Sequence, residues 1–243
     1  MKYFRNSLIS IVCFLMLISS SSAAELSISS FAQPELDSFG KQIGFLVARR
    51  QYRGANPLGV IGFDLGIEAT AVKLDDTALW KKLDSGWSTP SYLALPVVHV
   101  KKGLPLSIDV GLRGGIAPNT GLSLMGGEIG YSPLAGNIAM PAVNVFLAYS
   151  VLNGGKNFDV NSTSFGASVS KGIGIITPYA GLSLDRSKLS VKDLPSSTSL
   201  QDVSKSGFRQ FVGLRLNMLV LSLCAEANFG EMQSYGLSLD IGI

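Results

Sequence analysis

Residues 234–243, Ser234-Tyr235-Gly236-Leu237-Ser238-Leu239-Asp240-Ile241-Gly242-Ile243, place a large apolar side chain at every second position. Tyr235, Leu237, Leu239, Ile241 and Ile243 share one parity, and Gly236, Ser238, Asp240 and Gly242 share the other. Successive side chains of a strand point to opposite faces, so this stretch is a strand with one oily and one hydrophilic surface. A soluble protein gains little from ending on an apolar ladder. A membrane barrel needs such a strand to close on.

The same alternation recurs upstream in nine segments: 61–71, 92–101, 106–114, 123–131, 142–151, 163–170, 176–185, 208–218 and 221–229. With the terminal strand they make about ten, most of them near the roughly 9–11 residues that a tilted spanning strand needs. The even number suits a bacterial barrel. Short connections follow the second, sixth and eighth segments, while longer ones occupy 75–90 and 187–205. This short–long phase places both chain ends on the short-turn, periplasmic side. Tyr92, Tyr149, Phe208, Phe229 and Tyr235 then gather near the outer rim as an aromatic girdle. A soluble sandwich or lipocalin-like barrel also alternates, but its second face meets water and carries dense charge. Here that face is largely Gly, Ser, Ala and Asn, which suits a confined lumen.

Composition agrees. Charged residues form 15% of the chain, below the roughly 25% usual in soluble domains. No stretch beyond the leader is apolar for the ~20 residues of a membrane helix. Residues 1–24 read as a signal peptide: Lys2 and Arg5, an apolar run from Leu8 to Ile18, and Ser22-Ala23-Ala24 as the cleavage site. Its loss reduces 20 basic residues to 18 against 17 acidic ones, which removes any case for nucleic acid binding. Cys13 leaves with it, so Cys224 is a lone inward thiol and no intramolecular disulfide forms.

Residues 25–57 precede the barrel, which takes up 58–243. From Pro34, Leu36, Phe39, Ile43, Leu46 and Val47 recur at helical spacing and predict a short amphipathic helix. It either enters the lumen, its stripe meeting Phe146, Phe211, Tyr179 and Leu124, or lies on the membrane at the periplasmic side. The inward faces carry Asp64, Glu68, Asp109, Glu128, Asp185, Glu226 and Asp240 against Lys101, Arg113, Arg209 and Arg215. Charges in a narrow lumen must be paired or hydrated. They form an internal network, or rings that select solutes. Arg209 is expected near both Asp185 and Glu226. His99, the single histidine, reads as a lumen residue bonded to a neighbour, and Asp75-Asp76 as a solvated loop pair. No catalytic, metal or cofactor motif stands out.

The terminal strand resembles that of small bacterial outer-membrane β-barrel proteins, with Ile243 where such proteins usually carry an aromatic. The resemblance implies an all-β, antiparallel, up-and-down transmembrane barrel in the outer membrane. It also implies partners: outer-membrane lipids, periplasmic chaperones and the barrel assembly machinery, which would read Tyr235, Leu237, Leu239, Ile241 and Ile243 as its signal. The expected function is a structural or limited small-solute permeation role, with a small solute or apolar ligand as a candidate lumen guest. Adhesion through loops 75–90, with exposed Trp80 and Trp87, and 187–205 is the alternative. An outer-membrane enzyme comes last, because His99 lies at the wrong end for a general base acting at the outer rim.

Overall fold

The computed structural model describes residues 26–74, 77–83, 92–117, 120–194 and 199–242. The residues expected to form a signal peptide, with Cys13, the loop residues Asp75, Asp76 and Trp87, and Ile243 lie outside them. Ten strands follow one another: β1 (Phe63–Lys73), β2 (Tyr92–Leu104), β3 (Ile108–Ile116), β4 (Ser123–Leu134), β5 (Ala142–Asn153), β6 (Phe158–Ser170), β7 (Ile176–Val191), β8 (Val203–Met218), β9 (Leu221–Phe229) and β10 (Ser234–Gly242). Each pairs antiparallel with its sequence neighbours, and β1 also pairs with β10, so the sheet closes into an up-and-down barrel. Across that seam Ile67 stands opposite Leu239 and Ala69 opposite Leu237. Closure leaves no unpaired edge.

The two parities separate as the alternation dictates. Leu65, Val100, Leu147, Leu182, Leu214 and Leu237 are exposed on the outside, while Asp64, Lys101, Ser150, Ser183, Arg209 and Ser238 are buried inside. Tyr92, Tyr149, Phe208, Phe229 and Tyr235 are exposed near the end that carries the longer connections.

Three strands run further than their oily pattern suggests. β6, β7 and β8 continue past 163, 185 and 208 toward the long-connection end. In these extensions the faces exchange character. Phe158, Val160, Leu189 and Val203 are buried inward, while the outward neighbours are Asp159, Asn161, Lys188, Ser190 and Ser204. Residues 187–191 and 203–205 of what the sequence suggests as a loop over 187–205 are therefore strand. The same inversion occurs on β2, where Leu93, Leu95 and Val97 point inward above His99 and Lys101.

The inverted rim is a socket for α1 (Gln33–Val47). Leu36, Phe39, Ile43, Leu46 and Val47 are buried in one apolar cluster with Leu95, Leu124, Phe158, Val160, Leu189 and Val203. The helix starts with Pro34 in its first turn, and the Glu35 carboxylate accepts the Ala32 N–H at 2.9 Å. Gly40 and Gly44 bring its backbone against the wall. A Cβ on Gly44 would stand 2.1 Å from Ser187 Oγ, and one on Gly40 would stand 3.0 Å from Val203.

A second helix, α2 (Thr77–Leu83), falls where the sequence suggests only a polar loop. Trp80 is correspondingly buried rather than exposed. Its ring packs edge-on to Phe39 at 5.2 Å, and its indole N–H donates to Gln42 Oε1 at 3.0 Å. α1 and α2 together stopper the long-connection end, which is why an apparently polar loop holds an aromatic anchor.

The N-terminal segment threads the barrel from end to end. Leu26 O accepts the Lys156 N–H and Ser27 Oγ donates to Asn157, both in the β5–β6 connection at the long-connection end. After α1 the chain descends through the lumen, and the Leu58 N–H reaches Asp109 near the short-turn end, where β1 begins. The expectation that both ends share one side is thus corrected: Leu26 lies at the long-connection end and Gly242 at the other. Strand parity fixes only the ends of the barrel and is silent on a segment running inside it.

Candidate functional site: the charged lumen

Below α1 the lumen wall is ionic, and the segment 47–58 is bound to it by side-chain contacts to its backbone. Arg113 donates to Val47 O at 2.5 Å, Arg209 to Arg49 O at 2.7 Å and Arg215 to Tyr52 O at 3.3 Å. Glu226 Oε2 accepts the N–H groups of Gln51 and Tyr52 at 3.2 and 3.0 Å. Further down, Ala55 N–H donates to Ser170 Oγ at 2.7 Å, and Ser132 Oγ donates to Ala55 O at 2.9 Å. A non-helical strand of chain inside a barrel has no ladder partner, so these side chains supply the partners its backbone requires.

The segment also brings charge of its own. Arg49 Nε donates to Glu128 at 2.5 Å, and its guanidinium lies 4.0 Å over the Phe146 ring. Arg53 meets Asp109 at 3.4 Å. Arg50 donates to the carbonyls of Phe45 and Ala48, closing the C-terminal end of α1. The wall charges also meet one another. Lys101 reaches Glu128 at 2.8 Å, Arg209 reaches Asp185 at 2.6 Å, and Arg215 bridges Asp64 at 2.9 Å and Asp240 at 3.2 Å. Glu68 lies 3.8 Å from Arg113. Arg209 does not contact Glu226 directly; Asn228 joins them, accepting from Arg209 and donating to Glu226. Removing one partner of such a buried pair is costly, about 3–5 kcal/mol.

Three aromatics sit elsewhere than the helix-plug expectation has them. Phe146, Tyr179 and Phe211 cluster with Tyr52 and Cys224, not with the stripe of α1; only Leu124 joins the helix. They lie one level deeper and meet the segment that follows α1. The Tyr179 hydroxyl donates to Glu226 at 2.8 Å and stands 3.2 Å from Cys224 Sγ. The cysteine is fully buried.

His99 lies in the lower half, beside the seam. Its Nε2 is 3.4 Å from Asp64 and 3.5 Å from Asp240, and its Nδ1 is 3.6 Å from Glu68. Asp64, His99 and Asp240 thereby form a set that could hold a metal ion. At the rim, Lys82 donates to Glu35 and holds that carboxyl below its usual range. Two cavities that touch the network among the described residues are small. One of about 10 Å³ lies among Glu68, His99, Lys101, Arg113 and Glu128, room for one water at most. Another of about 30 Å³ lies under α1, between Phe45, Asp185 and Arg209.

Sequence patterning misses Arg49 to Arg53 as lumen residues. A signal for them exists: the inward acids named above outnumber the inward bases seven to four, and Arg49, Arg50 and Arg53 bring three more cations.

The family described as "Family of unknown function (DUF6588)" matches residues 82–243, which is 162 of the 243 residues. The chain belongs to this family. The DUF6588 match begins within α2 and takes in β2 to β10, while α1, the threading segment and β1 precede it. Comparison with curated proteins yields no match. Among solved structures, the N-terminal β-barrel domain of Pseudomonas aeruginosa OprF shares 14% identity over 74% of this DUF6588 chain and 97% of its own, at a TM-score of 0.36. Neisserial surface protein A shares 14% over 74% and 96%, at 0.34. The translocator domain of the autotransporter NalP from Neisseria meningitidis shares 10% over 91% and 99%, at 0.40. Scores this low carry no weight on function, and the barrel stands on its own strand pairing.

Proposed function

We propose that this DUF6588 chain is an integral barrel of the bacterial outer membrane, stoppered by its own N-terminal segment and serving a structural, non-enzymatic role. The observation that carries it is an oily exterior around a filled, charged interior. Water would penalise the outward rows of Leu, Val and Ile at the contiguous extent seen here, whereas lipid does not. Strands of 9 to 16 residues are long enough to span. The long-connection end is then external and the short-turn end periplasmic. Lipids cover the belt, and periplasmic chaperones and the assembly machinery deliver the chain. His99 is 5% exposed and stands among the carboxylates of Asp64, Glu68 and Asp240, which supports a structural role rather than a general-base one.

The expected outcomes are recovery of the protein in the detergent-extracted outer membrane and, in planar bilayers, no stable conductance steps. Recovery in the aqueous fraction would sink the membrane assignment. Steady ohmic conductance from the unmodified protein would sink the stoppered state.

Gated permeation is the second reading, favoured because residues 47–58 are held mainly by polar contacts above a hydrophilic wall. A disulfide between Ala55→Cys and Ser132→Cys would lock that segment in place. Solute uptake by cells that is lost on oxidation of this pair would favour gating over a permanent stopper.

A further inference from the structure

At the closing seam, Gly66 on β1 stands opposite both Asp240 on β10 and His99 on β2. A Cβ at this position would lie 2.1 Å from Asp240 Oδ1 and 2.8 Å from the imidazole Cε1. The glycine therefore leaves the space in which these two groups approach one another. His99 Nε2 faces one oxygen of each aspartate, Asp64 Oδ1 at 3.4 Å and Asp240 Oδ1 at 3.5 Å. These separations are long for a hydrogen bond. They match the roughly 3.4 Å expected between two ligands that each lie about 2.0–2.1 Å from one tetrahedral ion. The three donor atoms all fall within 4.8 Å of one another.

The surrounding groups are arranged to support such a set. Arg215 holds the far oxygens, donating to Asp64 Oδ2 at 2.9 Å and facing Asp240 Oδ2 at 3.2 Å. Ser238 donates to Asp240 Oδ1. Behind the ring, Nδ1 faces Glu68 Oε2 at 3.6 Å, the carboxylate–histidine order that orients a metal-bound imidazole. His99 is 5% exposed and Asp240 fully buried, so the set is closed off from bulk water. Their atoms without a hydrogen-bond partner, Nδ1 and Oδ2, are turned outward from it, toward Glu68 and Arg215.

We propose that Asp64, His99 and Asp240 form a divalent transition-metal site that staples β1, β2 and β10 where the barrel closes. A mixed imidazole–carboxylate set suits Zn²⁺. The competing occupant is a proton on His99, since an imidazolium would also sit comfortably among these carboxylates. The site does not depend on whether the lumen passes solutes.

The test uses tag-free protein purified in detergent, stripped with chelator and dialysed against Zn²⁺. Bound zinc is measured by elemental mass spectrometry, and Co²⁺ is titrated by the visible absorption of the bound ion. One equivalent is expected, with His99→Ala and Asp240→Asn losing it and Asp37→Asn, an exposed carboxylate of α1 outside the set, retaining it. Glu68→Gln should weaken binding about 10–100-fold. Heat-dependent gel migration checks that each variant is folded, and His99→Asn replaces His99→Ala if the latter is not. Zinc at the level of a buffer blank, or affinity unchanged in a folded His99 variant, overturns the proposal and leaves the proton as occupant.

Discussion

Single side chains decide how closely the threaded segment can approach its wall. Gly44 lies in a helix interior, where alanine would ordinarily gain about 1 kcal/mol. Here the added methyl would meet Ser187, with Oγ at 2.1 Å and Cβ at 2.6 Å. Overpacking of this kind costs about 1–3 kcal/mol, so the propensity gain is offset or exceeded. Gly44→Ala should therefore lower the urea midpoint of unfolding, and the double variant Gly44→Ala/Ser187→Gly should recover most of the loss. A midpoint raised by the single variant would mean that α1 does not touch β7 there. Some of this scale is legible in the chain. Inward parity assigns Arg209, Arg215, Asp64 and Asp240 to the lumen without any coordinates. Arg49, Arg50 and Arg53 escape it because residues 48–58 have no periodicity to read. Only the surplus of inward acids hints that cations must come from elsewhere.

Among the elements, α1 and the extended strands explain each other. An amphipathic helix needs an apolar partner, and a barrel with a polar lumen offers none until the faces of β6, β7 and β8 invert above the belt. The stripe of α1 is plain in the sequence because its 3.6-residue period is local. The inversion is not, because alternation persists through it while the meaning of each parity changes. α2 is obscured for a related reason: Lys81 and Lys82 give it a polar look, and only the tertiary contact with Phe39 shows what Trp80 is for. Phe39 is the hub, with the rings of Phe31, Trp80 and Phe158 at 5.7, 5.2 and 5.3 Å. Phe39→Ala should cost about 3–5 kcal/mol of helix docking while leaving the strand ladders intact. The measurement is amide exchange: protection should fall across residues 33–47 and persist in β9 and β10. Equal loss across both regions would show that the helix and barrel unfold as one unit.

At the level of the whole molecule, the unusual feature is a chain that passes through its own closed sheet. Ten strands hydrogen-bonded in a ring leave no lateral gap. An α-helix with side chains is about 10–12 Å across, nearly the whole width of so small a lumen. The simplest assembly order therefore puts the N-terminal segment in place before β1 and β10 pair. The polar ties along residues 47–58 would then act as a template around which the wall closes. This topology fixes opposite fates for two exposed positions. Ser30 lies near the start of the threaded segment at the long-connection end, and Ile61, 86% exposed, lies just before β1 at the short-turn end. With the long connections outside, Ser30→Cys should react with a membrane-impermeant maleimide on intact cells. Ile61→Cys should react only after the outer membrane is permeabilised, and buried Cys224 in neither case. Labelling of both introduced cysteines only after permeabilisation would place the amino-terminal segment on the periplasmic side. The helix would then have to enter from the short-turn end, against the contacts of Leu26 and Ser27 with the β5–β6 connection.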